Sequence, residues 1–436
     1  MSKTEMVTAP DPLLLADGRL AVEAWSLDPG LRHLNHGSFG AVPLVAQRRQ
    51  EALRAEMERS PVVWFPALPQ RLAATRADLA AFLRVDAADL ALVPNASAGA
   101  SVVYAALDRR GGGEIVVTDH GYGAVTMGAE RLARRWGGRV RTARVPLDAD
   151  EDQAYEAVVA EIGEATELVV VDQITSATAR RLPVERIGAE ARRRGVAMLV
   201  DGAHAPGLLA APLADATYDF WTGNLHKWGC APRGTAALVA RGPLRDRLHP
   251  LIDSWGAPDP YPDRFDQQGT LDATSYLAAP TALAFVERSW GWPAARRYLH
   301  DLADYGAQVI GAAVTRLTGE DSRVDVGMPV PGMRLVRLPD GLGATRIEAD
   351  ALRDRVAREL DVEAAFTSFD GIGYLRLSAH VYNTADDYEH FAEECVPVLG
   401  DWAATGRRAA PGRPRPLRPG PPSSGSAAPR PPRRPA

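Results

Sequence analysis

The chain has 436 residues, of which 46% are hydrophobic and 24% are charged. This length suits a large α/β domain plus a smaller one, and the composition excludes wholesale disorder. Two cysteines, Cys230 and Cys395, give neither a disulfide framework nor a zinc cluster, so we predict no metal site and a cytoplasmic protein. No run approaches the roughly 18 apolar residues of a membrane span, so we expect no membrane partner.

The first predicted elements are two amphipathic helices, at 44–59 and 68–84, with Pro61, Pro66 and Pro69 interrupting the link between them. Short apolar runs then predict strands, and the segment 183–194 predicts a helix between two of them. The predicted strands are 114–118, 139–145, 167–172, 196–200, 218–222 and 235–240. Runs that are apolar throughout are typical of strands buried on both faces, so the sequence predicts a mostly parallel sheet.

The pattern changes at about residue 296 to a long helix and a smaller α+β arrangement. It comprises predicted strands near 333–338, 362–366 and 373–378 and predicted helices at 346–359 and 384–398. We therefore divide the chain into an N-terminal segment (1–30), a large α/β domain (31–295), a small α+β domain (296–404) and a tail (405–436).

The tail holds eight arginines and ten prolines and no acidic residue, so we expect it to be disordered and solvated. A passive tail is the preferred interpretation, although its charge leaves an anionic partner open. Because the whole chain carries −5, the preceding body carries −13, which argues against nucleic acid as a partner.

Lysine is almost absent from this chain. Of the 50 lysine and arginine residues, only Lys3 and Lys227 are lysine. The guanidinium of arginine stays protonated and cannot act as an amine nucleophile, whereas a lysine amine can. Lys227 is therefore a candidate functional residue, with chance survival of a surface lysine as the alternative.

Two further motifs follow predicted strands of the large domain. PNASAG places Asn95, Ala96 and Ser97 before a helix, where free backbone N–H groups suit a phosphate, although an ordinary helix cap looks the same. VDGAHAPG places Asp201 directly after a buried strand, where it would hold a cationic ring nitrogen or a metal, or merely cap a turn.

These motifs converge because the carboxyl ends of strands in an open α/β sheet meet at one edge. Lys227 follows the strand at 218–222, and so lies at the same edge as Asp201 and the phosphate loop. An amine, a carboxylate and phosphate donors are what pyridoxal 5′-phosphate (PLP) requires, so the sequence predicts this cofactor. Arg376, in a strand of the small domain, would form two hydrogen bonds to a substrate carboxylate or form a structural salt bridge.

From about residue 30 to 400 the chain resembles the isopenicillin N epimerase branch of the class V aminotransferase family. The resemblance rests on eight motifs in order: LNHGSFGAVP (34–43), PNASAG (94–99), TDHGYGA (118–124), QITSATARRLPV (173–184), VDGAHAPG (200–207), TGNLHKWGCAPRG (222–234), RFDQQGTLD (264–272) and LRLSAHVYN (375–383). It implies a fold type I PLP enzyme that forms a homodimer with sites at the subunit interface.

The resemblance also implies a role for each matching residue. Lys227 would bond the cofactor covalently, Asp201 would pair with the pyridine nitrogen, and His204 would lie near the ring oxygen. Either Tyr122 or His120 would stack on the ring, and Tyr122 is preferred. The remaining implied contacts are Ala96, Ser97, Thr222 and His226 to the phosphate with Thr270 of the partner subunit, Ser176 to the cofactor, and Asn35 and Arg376 to the substrate carboxylate.

Two positions depart from the family pattern. Gln173 stands where related sequences often have histidine, and Ser97 stands where they often have threonine. An amide forms hydrogen bonds but does not titrate, so a mechanism that needs acid–base chemistry at position 173 is doubtful.

The predicted reaction begins with loss of the Cα proton of an amino acid or amino-acid-containing substrate, with Lys227, Asp201 and Tyr122 as catalytic candidates. Epimerisation is the leading interpretation; carbon–sulfur lyase and aminotransferase chemistry begin with the same proton loss. Inversion needs a second acid, for which Tyr122, His36 and water remain open. Desulfuration is disfavoured because 319–345 contains no cysteine, and a non-catalytic PLP-binding module is a remote alternative.

Overall fold

The computed structural model describes residues 7–107 and 111–406. The predicted tail lies outside the described residues from position 407 onward. Among the described helices, none is both long enough and apolar enough to cross a membrane.

Twelve strands and twelve α-helices make up the described chain. The strands are β1 (Arg32–His33), β2 (Leu90–Val93), β3 (Glu114–Thr118), β4 (Arg139–Ala143), β5 (Thr166–Asp172), β6 (Ala197–Asp201), β7 (Phe220–Asn224), β8 (Ala236–Ala240), β9 (Met333–Arg337), β10 (Val362–Glu363), β11 (Ala365–Phe369) and β12 (Ile372–Ser378). The helices are α1 (His36–Phe39), α2 (Leu44–Arg59), α3 (Pro61–Leu83), α4 (Ala96–Ala106), α5 (Gly123–Trp136), α6 (Glu151–Val159), α7 (Val184–Arg193), α8 (Thr274–Ser289), α9 (Trp292–Thr318), α10 (Arg346–Glu359), α11 (Ala385–His390) and α12 (Val396–Ala404).

The large sheet has seven strands in the order β2-β8-β7-β6-β5-β3-β4. Strand β8 runs opposite to the other six strands, which all point the same way, and this confirms the predicted mostly parallel sheet and α/β fold class. Alternate residues of β5 enter two separate cores: Val169 and Val171 pack on one face, Leu168 and Val170 on the other. Burial of both faces explains why the strand sequences are apolar throughout.

A smaller antiparallel sheet, in the order β11-β12-β9, follows the long helix α9. The segment that begins at β1 connects the two sheets, because β1 pairs with β10 and the N–H of Ser378 donates to the carbonyl of Leu34. The residues after Leu34 are thereby held between the sheets. The predicted domain boundaries stay a prediction.

Helix α2 matches the predicted 44–59, and a second helix follows as predicted, but it begins at residue 61 and not at residue 68. Helix α3 begins at Pro61 and runs through Pro66 and Pro69. Proline is well tolerated at the first helical position. Pro66 removes the donor to the carbonyl of Val62, a residue that is 84% exposed, so the lost bond lies on the solvent side of the helix.

The predicted strand at 362–366 is divided into β10 and β11, and the predicted helix at 384–398 is divided by a π-helical turn at Phe391–Cys395. Strand β2 was not predicted as a strand.

Candidate active site

Most of the predicted cofactor residues surround one cavity of about 340 Å³ at the carboxyl edge of the large sheet. Asp172, Asp201 and Asn224, the last residues of β5, β6 and β7, all line it. Parallel α/β sheets place ligands at this edge. Eight of the predicted residues contribute to the wall: Ala96, Ser97, Tyr122, Ser176, Asp201, His204, His226 and Lys227.

Thr222 and Thr270 do not line this cavity. Thr222 is buried against the first turn of α4, where its Oγ1 donates to the carbonyl of Ala96 over 3.4 Å. A Cβ at Gly99 would lie 2.2 Å from that Oγ1, so glycine is required for helix and strand to approach this closely. Thr270 is exposed, and its role toward the partner subunit stays a prediction.

Lys227 lies in a tight turn after β7. Its carbonyl accepts the N–H of Cys230 over 2.9 Å and the Nε2–H of His36 over 3.0 Å, which fixes its backbone. Its Nζ lies 3.1 Å from His204 Nε2. Burial, with the charge of Arg376, lowers the pKa of Lys227 to about 8 against the opposing effect of the nearby carboxyls. Near neutral pH, part of the population is therefore the nucleophilic free amine.

Two carboxyl groups lie side by side across the sheet, because Asp172 and Asp201 are paired in register on β5 and β6. Asp201 Oδ1 accepts the N–H of Ala203 over 2.9 Å, whereas Oδ2 is buried and has no hydrogen-bond partner among the described residues. Burial raises the pKa of Asp201, and burial together with the charge of Asp201 raises the pKa of Asp172 well above its ordinary value. Such an orphaned buried oxygen calls for a ligand donor.

Asp172 was missed by the sequence analysis. The signal was an acidic residue that ends the apolar run ELVVVD, in the same position as Asp201 at the end of its own run.

The two aromatic candidates have different positions. Tyr122 caps the start of α5, lines the cavity and is 44% exposed. His120 is buried outside the cavity, where its ring stacks on Phe369 and its nitrogens contact Thr178 and the carbonyl of Val145. Tyr122 alone is therefore available to a ligand.

Asn35 and Arg376 contact each other behind the cavity wall. Arg376 donates to the Ser176 carbonyl over 2.6 Å and, over 3.1 Å each, to Asn35 Oδ1 and Ser38 Oγ. Ser38 and Ser176 line the cavity, so they separate the guanidinium from it. Burial lowers the pKa of Arg376 to about 10. Ser38 was not singled out from the sequence.

His36 and Gln173 have structural positions. His36 Nε2 faces the Lys227 carbonyl and must carry its proton, so Nδ1 accepts from the Tyr382 hydroxyl over 3.0 Å. Burial lowers the pKa of His36 to about 3, and it lies outside the cavity, which removes it as the second acid. Gln173 is buried, accepting from Trp221 and donating to the carbonyl of Pro212.

The chain is similar to known proteins over most of its length. The family model "Aminotransferase class-V" matches residues 66–391. Isopenicillin N epimerase of Streptomyces clavuligerus is 31% identical over 89% of this chain and all of its own length. The enzyme of the same name from Amycolatopsis lactamdurans is 32% identical over 86% of this chain and 96% of its own length.

Other relatives carry out different chemistry. A putative L-cysteine desulfhydrase of Oryza sativa is 28% identical over 86% of this chain and 84% of its own length. A structure of the cystine C–S lyase C-DES in complex with cysteine persulfide superimposes with a TM-score of 0.69 at 22% identity, covering 86% of this chain and 98% of that one. The chain belongs to the class V aminotransferase family of fold type I, PLP-dependent enzymes, as its motifs predict.

Proposed function

We propose that PLP binds in the cavity at the strand ends and is bonded by Lys227. The residues present fit this group. Asp201 offers a buried oxygen that has no partner in the described part of the chain, which suits a protonated ring nitrogen. The start of α4 forms part of the wall, where backbone N–H groups suit a phosphate. The proposed contacts are Asp201 to the ring nitrogen, His204 to the ring oxygen, Tyr122 to the ring face, Ser176 beside the cofactor, and Ala96, Ser97 and His226 to the phosphate with Thr270 of the partner subunit. Thr222 is not among them, because its hydroxyl is buried against the carbonyl of Ala96.

We further propose that the substrate is an amino acid or an amino-acid-containing molecule from which the chain removes the Cα proton. PLP, when bound, supplies an electron-withdrawing ring that stabilises the negative charge left at Cα. Lys227 Nζ, whose pKa burial lowers to about 8, takes the proton in its free-amine form. Arg376 with Asn35 receives the substrate carboxylate once Ser38 and Ser176, which lie between them and the cavity, move aside.

Epimerisation also requires a proton donor on the other side of Cα. Tyr122 is the proposed donor, because its side chain lines the cavity and its phenolic hydroxyl carries a proton that it can donate. The observation that carries the epimerase proposal is the similarity at 31% and 32% identity over nearly the whole length of two isopenicillin N epimerases.

A carbon–sulfur lyase is the second candidate, supported by desulfhydrase relatives at 25% to 28% identity. A cysteine desulfurase is disfavoured, since Cys230 and Cys395 are both buried outside the cavity. Burial raises the pKa of Cys395 to about 12 and that of Cys230 as well, which suppresses the thiolate.

The test is to incubate the PLP-loaded protein with amino acids and thiol-containing peptides in deuterated water. Exchange at Cα with inversion supports an epimerase, release of sulfide with pyruvate and ammonia supports a lyase, and transfer of the amino group to a keto acid supports an aminotransferase. Lys227→Arg is the matched control, because it retains the charge and removes the amine. Absence of exchange with every substrate contradicts the proposal and favours a binding module.

A homodimer is proposed for the assembly, in the cytoplasm. Phe39 lines the cavity yet is 72% exposed, so a large apolar side chain at the site is available to a second copy. Light scattering of the purified protein tests this, and a monomer that retains full PLP binding would contradict it.

A further inference from the structure

Trp228, the residue after Lys227, contacts the site from behind. Its indole is fully buried and its Nε1 donates to His204 Nδ1 over 3.2 Å. An indole nitrogen donates and cannot accept. His204 Nδ1 must therefore be unprotonated and present its lone pair to Trp228.

This contact determines the other nitrogen of His204. Burial and the nearby charges of Lys227 and Arg376 lower the pKa of His204 well below its ordinary value, so the imidazole is neutral and carries one proton. With Nδ1 occupied as an acceptor, that proton is on Nε2, which lies 3.1 Å from Lys227 Nζ. An ammonium has only donors, so the contact is a hydrogen bond only if Nζ accepts through the lone pair of a neutral amine.

We propose that Trp228 is a positioning residue that fixes the Nε2–H tautomer of His204 and thereby holds Lys227 as an unprotonated amine. This inference rests on the proposed function in taking Lys227 as the residue that bonds PLP. Without the indole, His204 is free to carry its proton on Nδ1. Its Nε2 would then accept from Lys227, which favours the ammonium.

Other charged and titratable groups face Lys227 and remain in place when Trp228 is changed. They are Asp172 on β5, Asp201 on β6, Arg376 on β12 and the imidazole of His226. A shift measured in a Trp228 variant is therefore a change relative to this constant background.

The test uses cofactor-free protein and acetic anhydride in trace amounts, with peptide mass spectrometry across a pH series. The chain has only two lysines, so Lys3 is an internal reference for Lys227. In the parent protein the labelling of Lys227 should rise around pH 8. In Trp228→Phe the inflection should move upward by about one unit, so that labelling at pH 7 falls about tenfold.

Trp221→Phe is the matched control. It removes an equally buried indole whose Nε1 donates instead to Gln173 Oε1 over 3.0 Å, and it should leave the inflection unchanged. In a His204→Gln background, which has no imidazole tautomers, Trp228→Phe should also have no effect. An unmoved inflection in Trp228→Phe, an equal shift in Trp221→Phe, or a shift that persists in the His204→Gln background would each overturn the proposal.

A second measurement reads the tautomer directly in the parent protein and uses a variant only to assign the signal. Long-range ¹H–¹⁵N spectra of histidine-labelled, cofactor-free parent protein report the tautomer of each imidazole, with His204→Gln identifying the signal. The Nε2–H form is expected at His204, and the Nδ1–H form would overturn the proposal. If borohydride fails to fix PLP on Lys227 while these results hold, the proposed function fails and the tautomer assignment stands.

Discussion

Replacing Asp201 by asparagine separates two effects of this carboxyl group: its burial lowers the free energy of unfolding, and its hydrogen bond strengthens the binding of PLP. The amide oxygen of asparagine retains the bond from the Ala203 N–H, while the buried charge without a partner disappears. Burial raises the pKa of Asp201, and each unit of such a shift costs the folded state about 1.4 kcal/mol at neutral pH. The amide nitrogen that takes the place of Oδ2 is again a buried polar group without a partner among the described residues, so the gain comes from the lost charge alone. We therefore expect Asp201→Asn to raise the free energy of unfolding of the cofactor-free protein at neutral pH by about 1 kcal/mol.

With PLP bound the same substitution should act in the opposite direction. A hydrogen bond between charged groups contributes about 1.5–3 kcal/mol, so its loss should weaken PLP binding about 10- to 150-fold. The ring nitrogen would also lose the partner that keeps it protonated. Cα exchange per bound cofactor should therefore fall by several orders of magnitude.

Three measurements check this pair of effects: urea denaturation of cofactor-free protein, titration with PLP by visible absorbance, and deuterium incorporation normalised to bound PLP. Asp172→Asn is the matched control, since it removes the neighbouring buried carboxyl. It should also stabilise the cofactor-free protein, while PLP binding weakens much less. If Asp201→Asn leaves PLP affinity and normalised exchange near those of the parent, Asp201 only caps the turn after β6 and the reasoning is refuted.

Lys227→Arg should abolish the yellow absorbance, and borohydride reduction followed by peptide mapping should place the pyridoxyl group on residue 227 of the parent alone; a label on Lys3 would contradict the assignment. Tyr122→Phe should retain PLP and Cα exchange but lose inversion, because the ring remains and the phenolic proton does not; chiral analysis of the product checks this, and unchanged inversion would exclude Tyr122 as the donor. His36 is buried neutral, with its pKa lowered from 6.5 to about 3, so its contribution to stability is complete above pH 6.5 and declines as the pH falls toward 3. His36→Gln should remove a slope of up to about 1.4 kcal/mol per pH unit from that interval in urea denaturation, and an unaltered slope would show that His36 is not buried neutral. Deletion of 405–436 should leave PLP binding unchanged, because this segment has almost no apolar surface to bury, and a large loss of thermal stability would show that it docks.

The strands of the large sheet could be predicted from sequence because burial on both faces makes each one continuously apolar. The predicted 114–118 coincides with β3. Helix α3 was predicted to begin too late because its prolines were weighed only as local breaks. Trp64, Leu68 and Leu72 are buried at a spacing of four residues, and this packing offsets the hydrogen bonds that Pro66 and Pro69 remove.

Part of the site could also be predicted, because the position of a residue at the end of a strand is a local property of the chain. Lys227 and Asp201 were found in this way. The contact between Trp228 and His204 was not, since it depends on how the loops after β6 and β7 pack together. The turn that presents Trp228 includes Cys230 at φ 55°, a left-handed conformation that no residue preference would assign to cysteine.

The histidines around Lys227 are kept neutral by burial, so each has one N–H and one unprotonated ring nitrogen. The hydrogen bonds that they form therefore decide which nitrogen carries the proton and whether Lys227 acts as the base. The pKa values of His36, His204 and His226 are all lowered by burial, so each neutral imidazole carries a single proton, on either Nδ1 or Nε2. Facing a carbonyl fixes the proton of His36 on Nε2, and facing an indole fixes that of His204 on Nε2 as well. A carbonyl can only accept a hydrogen bond and an indole can only donate one. The hydrogen bonds therefore run from the Trp228 indole to His204 and from His204 to the Lys227 amine, and cannot be reversed. A residue with no cofactor contact thereby determines the protonation of the amine that the chemistry requires.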